Sequence, residues 1–317
     1  MNLLVTGGSG FIGSNFIEMV LQTKRNAVSR VVNLDALTYA GNLKNTEDFS
    51  NDEKYFFEKV NLCSLDELAD VFTRHKITHV VHLAAESHVD NSITDPDVFI
   101  QSNIVGTFNL LKVARASDVI RFHHVSTDEV YGDLGPTGKF SETTPYNPHN
   151  PYSASKASSD FLVKSYFHTF KLPITISNCS NNYGPRQHKE KFIPTVISSI
   201  LNKEKIPLYG KGVNVRDWIY VKDHCEGVWD VFINGNLGET YCIGSNCEKR
   251  NIDVITTICG LMDVHPDEYI EYVTDRLGHD FRYAIDNTKI LLELAWEPKS
   301  TFFEGIKKTI EWYYEKN

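Results

Sequence analysis

The sequence has no long apolar run. Its longest apolar stretch, around Val80 to Ala85, is short and contains His82, whereas a bilayer span needs about 20 apolar residues. The N-terminus, Met-Asn-Leu-Leu-Val-Thr-Gly, has no basic segment followed by a long apolar one, so a secretory signal is not expected. Cysteines are few: Cys63, Cys179, Cys225, Cys242, Cys247 and Cys259. None forms a Cys-x-x-Cys pair, and Cys242 with Cys247 suggests no zinc pattern. All six read as reduced thiols of a cytoplasmic protein, and no metal is expected. Basic residues are in deficit, with Lys plus Arg at 32 against 41 Asp plus Glu, a formal net charge of −9. Such a chain is a poor bulk partner for nucleic acid or an anionic membrane. If a ligand is anionic, the positive charge that holds it must be local. Low-complexity segments are missing too, and 41% hydrophobic residues against 23% charged ones argue against disorder and fibrous architectures. The 317 residues leave room for about two domains.

What is present is alternation. Strands are expected at residues 3–6, 31–34, 55–60, 79–83, 122–125 and 174–177, with helices at 11–24, at 65–75, after Asp95-Pro96 and after Tyr152. Pro96 suits a first helical position, and Ile100, Ile104, Phe108 and Leu111 recur every three or four residues. Repeated βα units argue for a parallel sheet covered on both faces. After Cys179 the pattern loosens, and no regular element is expected across 181–189. Helices follow at 192–201, 223–233, 252–261 and 303–314, with short strands at 207–209, 218–221 and 241–243. The expected fold is α/β: a Rossmann-type doubly wound parallel sheet with a smaller, interleaved C-terminal α/β substrate domain. Residues 1–178 are assigned to the first and 179–317 mainly to the second, with segments near 214–243 returning to the first.

The first strand runs into Gly7-Gly8-Ser9-Gly10-Phe11-Ile12-Gly13. This fits Gly-x-x-Gly-x-x-Gly and, through Gly8, also Gly-x-Gly-x-x-Gly. Glycines let backbone approach a pyrophosphate, and the helix N-terminus supplies N–H donors and positive dipole. The second strand ends at Asp35, 22 residues beyond Gly13. An acid there accepts bonds from ribose hydroxyls and repels a 2′-phosphate, so NAD is expected rather than NADP. Tyr152 and Lys156 stand four apart, on one helix face. A nearby ammonium is expected to lower the tyrosine pKa and fit it as a general base during hydride transfer. The fifth strand ends in Ser126-Thr127-Asp128-Glu129, where ligands bind in a parallel sheet. Thr127 is placed to bond the reacting hydroxyl. Hydride transfer does not need Asp128 and Glu129, whereas elimination of water needs a base and an acid; capping of the following turn is the alternative for this pair. His123 and His124 adjoin on a strand and point to opposite faces, which argues against a shared metal. Trp312, Tyr313 and Tyr314 read as helix packing.

These blocks resemble the extended short-chain dehydrogenase/reductases, and closely the dTDP-glucose 4,6-dehydratase family, over nearly the whole length. The resemblance includes Leu34-Asp35-Ala36-Leu37-Thr38-Tyr39-Ala40-Gly41-Asn42, Ala84-Ala85-Glu86-Ser87-His88-Val89-Asp90 and Pro151-Tyr152-Ser153-Ala154-Ser155-Lys156. Later come Asn181-Asn182-Tyr183-Gly184-Pro185, Asn214-Val215-Arg216-Asp217-Trp218 and Asp275-Arg276-Leu277-Gly278-His279-Asp280. It implies C4 oxidation by Tyr152 and NAD, removal of the C5 proton by Glu129, protonation of the C6 hydroxyl by Asp128, and hydride return to C6. It implies a cofactor site at Gly7, Gly10, Phe11, Ile12 and Gly13, at Asp35, Ala36, Leu37 and Thr38, and at Asn61, Leu62, Leu83, Ala84, Ala85, Ser102 and Asn182, with Tyr152 and Lys156.

The same matching places the nucleotide sugar against Ser87, Thr127, Asn181, Lys191, Phe192, Pro207, Tyr209, Arg216, Asn251, Arg276 and His279. Arginines suit a diphosphate because guanidinium binds its oxygens in pairs. Relatives pair the helices near 95–116 and 152–170 in a dimeric four-helix bundle, so a homodimer is implied. Asn91 and Phe281 stand where many relatives have Arg, and Arg186 follows Gly-Pro where relatives vary. Three other readings stay open: a UDP-glucose 4,6-dehydratase, a 4-epimerase that would not need the carboxyl pair, and a non-catalytic NAD-binding sensor, which would be expected to lose Tyr or Lys.

Overall fold

The computed structural model describes residues 1–275 and 280–316. Its strands are β1 (Asn2–Thr6), β2 (Arg30–Asp35), β3 (Tyr55–Lys59), β4 (His79–His82), β5 (Arg121–Thr127), β6 (Ile174–Cys179), β7 (Asn181–Tyr183), β8 (Ile206–Tyr209), β9 (Val215–Tyr220), β10 (Thr240–Ile243), β11 (Glu248–Arg250) and β12 (Ile270–Val273). Seven form one sheet in the order β10-β6-β5-β4-β1-β2-β3, every pair parallel. Alternate side chains of β1 enter different cores. Leu3 and Val5 pack with Phe16, Ile17 and Val228, while Leu4 packs with Val32, Leu68 and Leu110. Burial on both faces is what makes these strands continuous apolar runs. β1 lies between β2 and β4, so the chain builds outward on one side and then crosses to the other. That reversal opens a crevice at the carboxyl ends of the strands.

Three strands form a second sheet, β11-β9-β7, and β8 pairs with β12. Of the segments near 214–243, β10 lies in the central sheet, while β9 lies in the second one. The expected blank at 181–189 contains β7, which pairs with β9 in parallel.

The single helix expected after Pro96 is also corrected. A helix spans Val89–Thr94, a second Pro96–Phe99, a π-helical segment Ile100–Gly106, and an α-helix Thr107–Ala116. Asn103 in the wide turns bonds inward, to the backbone of Glu86 and to Ser155. Such π segments are frequent at functional sites, and Ser102 in this one borders the crevice. The Pro151–Phe170 helix starts sharply. Pro151 occupies its first turn, and Asn150 and Ser153 form a reciprocal capping box. Tyr152 is thereby fixed in the first turn, with Lys156 one turn below.

Candidate active site

A cavity of about 560 Å³ occupies the crevice. It is bordered by residues at or just beyond the ends of β2 (Asp35), β4 (Leu83, Ala84), β5 (Thr127) and β6 (Cys179). At Gly7 the backbone has φ 70°, and a Cβ there would lie 2.8 Å from the backbone of Ala84. Glycine alone satisfies both constraints. A side chain at Gly13 would overlap the Gly7 carbonyl. Gly8 instead packs against Asn33 and Ile17, so the glycines that border the cavity here are Gly7, Gly10 and Gly13. Among the described residues no side chain caps the helix that follows, so its first N–H groups are not taken by such a cap.

Asp35 is buried and accepts the N–H groups of Ser9 at 2.9 Å and Leu37 at 2.8 Å. Burial pushes its carboxyl up, and those two bonds act in the opposite direction. The glycine cradle, the uncapped helix start and the acid ending β2 fit a dinucleotide. Phe11, Ile12, Ala36, Thr38, Asn61, Leu62, Leu83, Ala84, Ala85, Ser102 and Asn182 all border the cavity. Leu37 does not; with φ 54° it shapes the turn after Asp35.

At the far end the sheet presents Thr127. Its hydroxyl donates to Asp128 Oδ1 and accepts from the Glu129 N–H, both at 3.3 Å. Thr127 thus caps the turn Asp128–Tyr131, and the carboxyl pair is not needed for capping. Asp128 is 2% exposed, and its Oδ2 has no hydrogen-bond partner among the described residues. Burial first, then the charges of Glu129 and Asp217, raise its pKa well above the carboxylate range, with Arg216 opposing. A carboxyl that keeps its proton is suited to be a general acid. Glu129 is half-buried and borders the same space.

Tyr152 is buried beside Thr127. Its phenol is not poised as the sequence suggested. Burial and the Glu129 carboxylate push its pKa well up. Lys156 is buried as well, donates to the Val125 carbonyl at 2.9 Å, and does not reverse that direction. Burial pulls the ammonium down, and the carboxylate of Asp160, one turn further along the helix, acts in the opposite sense. Asp160 in turn accepts from Ser126 at 2.8 Å and Tyr146 at 2.9 Å. The two adjacent histidines diverge: His123 bonds Thr175 and Ser177, and His124 approaches Ser159 and Asp160.

Of the residues assigned to the sugar nucleotide, Ser87, Thr127, Asn181 and Lys191 border the cavity, and Lys191 donates to the Ser87 carbonyl at 2.8 Å. Phe192, Pro207, Tyr209, Arg216 and Asn251 do not. Phe192 stacks on Trp218 with ring centroids 6.2 Å apart, and Pro207 and Tyr209 are exposed on β8. Arg216 is buried, donates to the carbonyls of Val215 and Asp280, and lies 4.3 Å over Tyr283. Asn251 opens the Asn251–Leu261 helix with its N–H on the Asn214 carbonyl. Arg276 and His279 lie outside the described residues.

Sequence reasoning missed Cys179, Tyr39, Glu86, His188 and Glu190, which also border the cavity. Cys179 is the register partner of Thr127, and burial followed by the Asp128 charge pushes its thiol up to about 12. The signal for it was its place at the end of a parallel strand.

The family model described as GDP-mannose 4,6 dehydratase matches residues 4–309. A dTDP-glucose 4,6-dehydratase of Shigella flexneri is 50% identical, over 99% of this chain and 92% of its own length. The dTDP-glucose 4,6-dehydratase DesIV of Streptomyces venezuelae, solved with NAD bound, superposes with a TM-score of 0.96 at 41% identity, covering 99% of this chain and 97% of that one. A UDP-glucose 4-epimerase of Thermus thermophilus, in complex with NAD, reaches a TM-score of 0.91 at 28% identity, covering 99% of both chains. Backbone shape is therefore shared with epimerases, while sequence and site sort the chain more finely. It belongs to the GDP-mannose 4,6 dehydratase family and, within it, groups with the dTDP-glucose 4,6-dehydratases.

Proposed function

We propose that this chain converts dTDP-glucose to dTDP-4-keto-6-deoxyglucose and water, with NAD as its cofactor. One observation carries the reading: Asp128, buried with its proton favoured, stands beside Glu129 at the same end of the cavity as Tyr152. Hydride transfer alone needs one base, and loss of water needs a base and an acid together. This favours a dehydratase over the epimerase that shares the backbone. The retained Tyr152 and Lys156 argue against a non-catalytic sensor.

Bound NAD supplies the acceptor and later the donor of one hydride, and the positive charge of its oxidised ring favours a tyrosinate. Tyr152 takes the proton of the C4 hydroxyl while Thr127 holds that oxygen, and the C4–H electrons leave as hydride. The C4 ketone acidifies C5. Glu129 takes the C5 proton, Asp128 gives its proton to O6, water leaves, and a C5=C6 bond forms. Hydride then enters at C6 and Glu129 returns a proton to C5. The proton taken from O4 balances the one given to O6. Lys156 fixes the end of β5 through the Val125 carbonyl. Ser87, Asn181 and Lys191 are assigned to the sugar side, and Arg216 and Arg276 to the diphosphate. Phe192, Pro207, Tyr209, Asn251 and His279 complete the proposed nucleotide-sugar site.

We assign residues 1–178 to cofactor binding and 179–317 mainly to the nucleotide sugar. A homodimer is supported by the exposed apolar side chains of Ile100, Phe108 and Phe161, on the helices that the resemblance pairs. No helix among the described residues is long and apolar enough to cross a membrane. Six unpaired cysteines support a cytoplasmic setting. The test is incubation with dTDP-glucose and with UDP-glucose, without added NAD. The expected result is a 4-keto-6-deoxy product from dTDP-glucose. A 4-epimer would overturn the reaction type, and turnover of UDP-glucose alone would overturn the base.

A further inference from the structure

Arg186, which follows Gly184-Pro185, has a defined place in the fold. Arg186 has φ 69°, unusual for a side-chain-bearing residue, and is buried. Backbone of this kind persists only where its surroundings hold it. Its guanidinium donates to both carboxylate oxygens of Glu18, at 3.0 and 3.1 Å, and to Asp48 at 3.1 Å. The Phe49 ring lies 5.8 Å away beneath it. Asn15 adds a bond from its Nδ2 to the Pro185 carbonyl at 3.0 Å.

These partners come from two different elements. Asn15 and Glu18 belong to the Phe11–Thr23 helix that starts at the glycine turn. Asp48 belongs to the Leu43–Phe49 turn that follows Thr38–Gly41. Thr38–Gly41 forms part of one wall of the cavity, and Asn182, Gln187, His188 and Lys191 form part of another. The walls also meet directly, where Tyr39 and His188 contact edge-on at 5.7 Å. Arg186, Glu18 and Asp48 themselves do not border the cavity, so they act on its closure and not on its contents.

We propose that Arg186 is a positioning residue that clasps the two walls together, so that its ion pairs must open before NAD can leave. The proposal rests on the reading of the cavity as the NAD site. Because the reaction returns its hydride in every cycle, a closed wall is compatible with turnover.

Release from the holoenzyme tests this. NAD that leaves is trapped by an excess of a second enzyme acting only on free NAD, and its loss is followed in time. Arg186→Met should release NAD about tenfold faster or more, because removing one partner of a desolvated pair strands the others. Glu18→Gln should act in the same direction. Asp48→Asn should act less, since its side chain is 56% exposed and screened by water and salt. Arg186→Lys should be intermediate, as an ammonium cannot span both oxygens of Glu18 and reach Asp48. Arg282→Met serves as the structural control. Arg282 is a buried arginine paired with Glu248 at 2.6 and 3.0 Å and away from the cavity, so it should lower the melting temperature without speeding release. If Arg186→Met fails to fold, Glu18→Gln and Asp48→Asn decide. Release at the unmodified rate in these variants, or no faster than in Arg282→Met, overturns the clasp. Unmodified protein purified without any NAD overturns the cofactor reading, and the clasp with it.

Discussion

Replacing Asp128 by Asn tests the acid of the elimination with little change of shape. The carboxyl is buried, with Oδ2 unpartnered among the described residues, and burial, Glu129 and Asp217 raise its pKa well above the carboxylate range. The protonated form is therefore favoured, and an amide alters the charge of the site little. Substrate affinity should stay near its original value. What the amide cannot do is give a proton to O6. General acids contribute about 10²–10⁴-fold, or about 3–5 kcal/mol of barrier, so product formation should fall by that factor. C4 oxidation should remain, and single-turnover absorbance of the reduced nicotinamide should rise and persist. Stability should move the other way. A carboxyl whose folded pKa lies above its unfolded value binds more protons when folded, so its contribution declines as pH rises above the unfolded value. Asp128→Asn removes that penalty, and its melting temperature should exceed that of the unmodified protein at neutral pH, the gap closing in acid. Turnover within about threefold of the original rate would refute Asp128 as the acid, given the 10²-fold minimum expected of such a group.

Tyr152→Phe should fail earlier: with no phenolic base, C4 oxidation slows by about 10²–10⁴-fold and reduced nicotinamide never accumulates in a single turnover. Denaturing the purified protein should release NAD, since the Asp35 carboxylate repels a 2′-phosphate; NADP as the main nucleotide would contradict that role. Phe108→Glu should shift the protein toward monomer in light scattering, because Phe108 is exposed on the Thr107–Ala116 helix; a monomer before mutation would refute the dimer.

The first six strands were legible because each is an apolar run bracketed by helical periodicity, and the residues ending them carry the chemistry in any parallel sheet. β7, β11 and β12 were not, because they are only three or four residues long and are polar or lack alternation. Their pairing with β9 and β8 defines them, and sequence period does not show it. The π turns after Phe99 carry Asn103, which reaches Glu86 and Ser155, partners far from it in the chain that its local sequence does not reveal. The direction of the Tyr152 shift was misread for a related reason. The Tyr-x-x-x-Lys spacing shows the ammonium, whereas the burial and the Glu129 charge that outweigh it are products of packing. Arg216 illustrates the remainder: its charge is felt at Asp128 although the two lie 88 residues apart.

Deuterium incorporation from solvent measures removal of the C5 proton by Glu129 directly. In deuterated water the unmodified protein should place deuterium at C5 of the 4-keto-6-deoxy product. Glu129→Gln keeps the shape of the half-buried side chain but cannot take a proton. It should still oxidise C4, while C5 exchange and product fall by about 10²–10⁴-fold. Incorporation at the unmodified rate in Glu129→Gln would contradict the elimination mechanism.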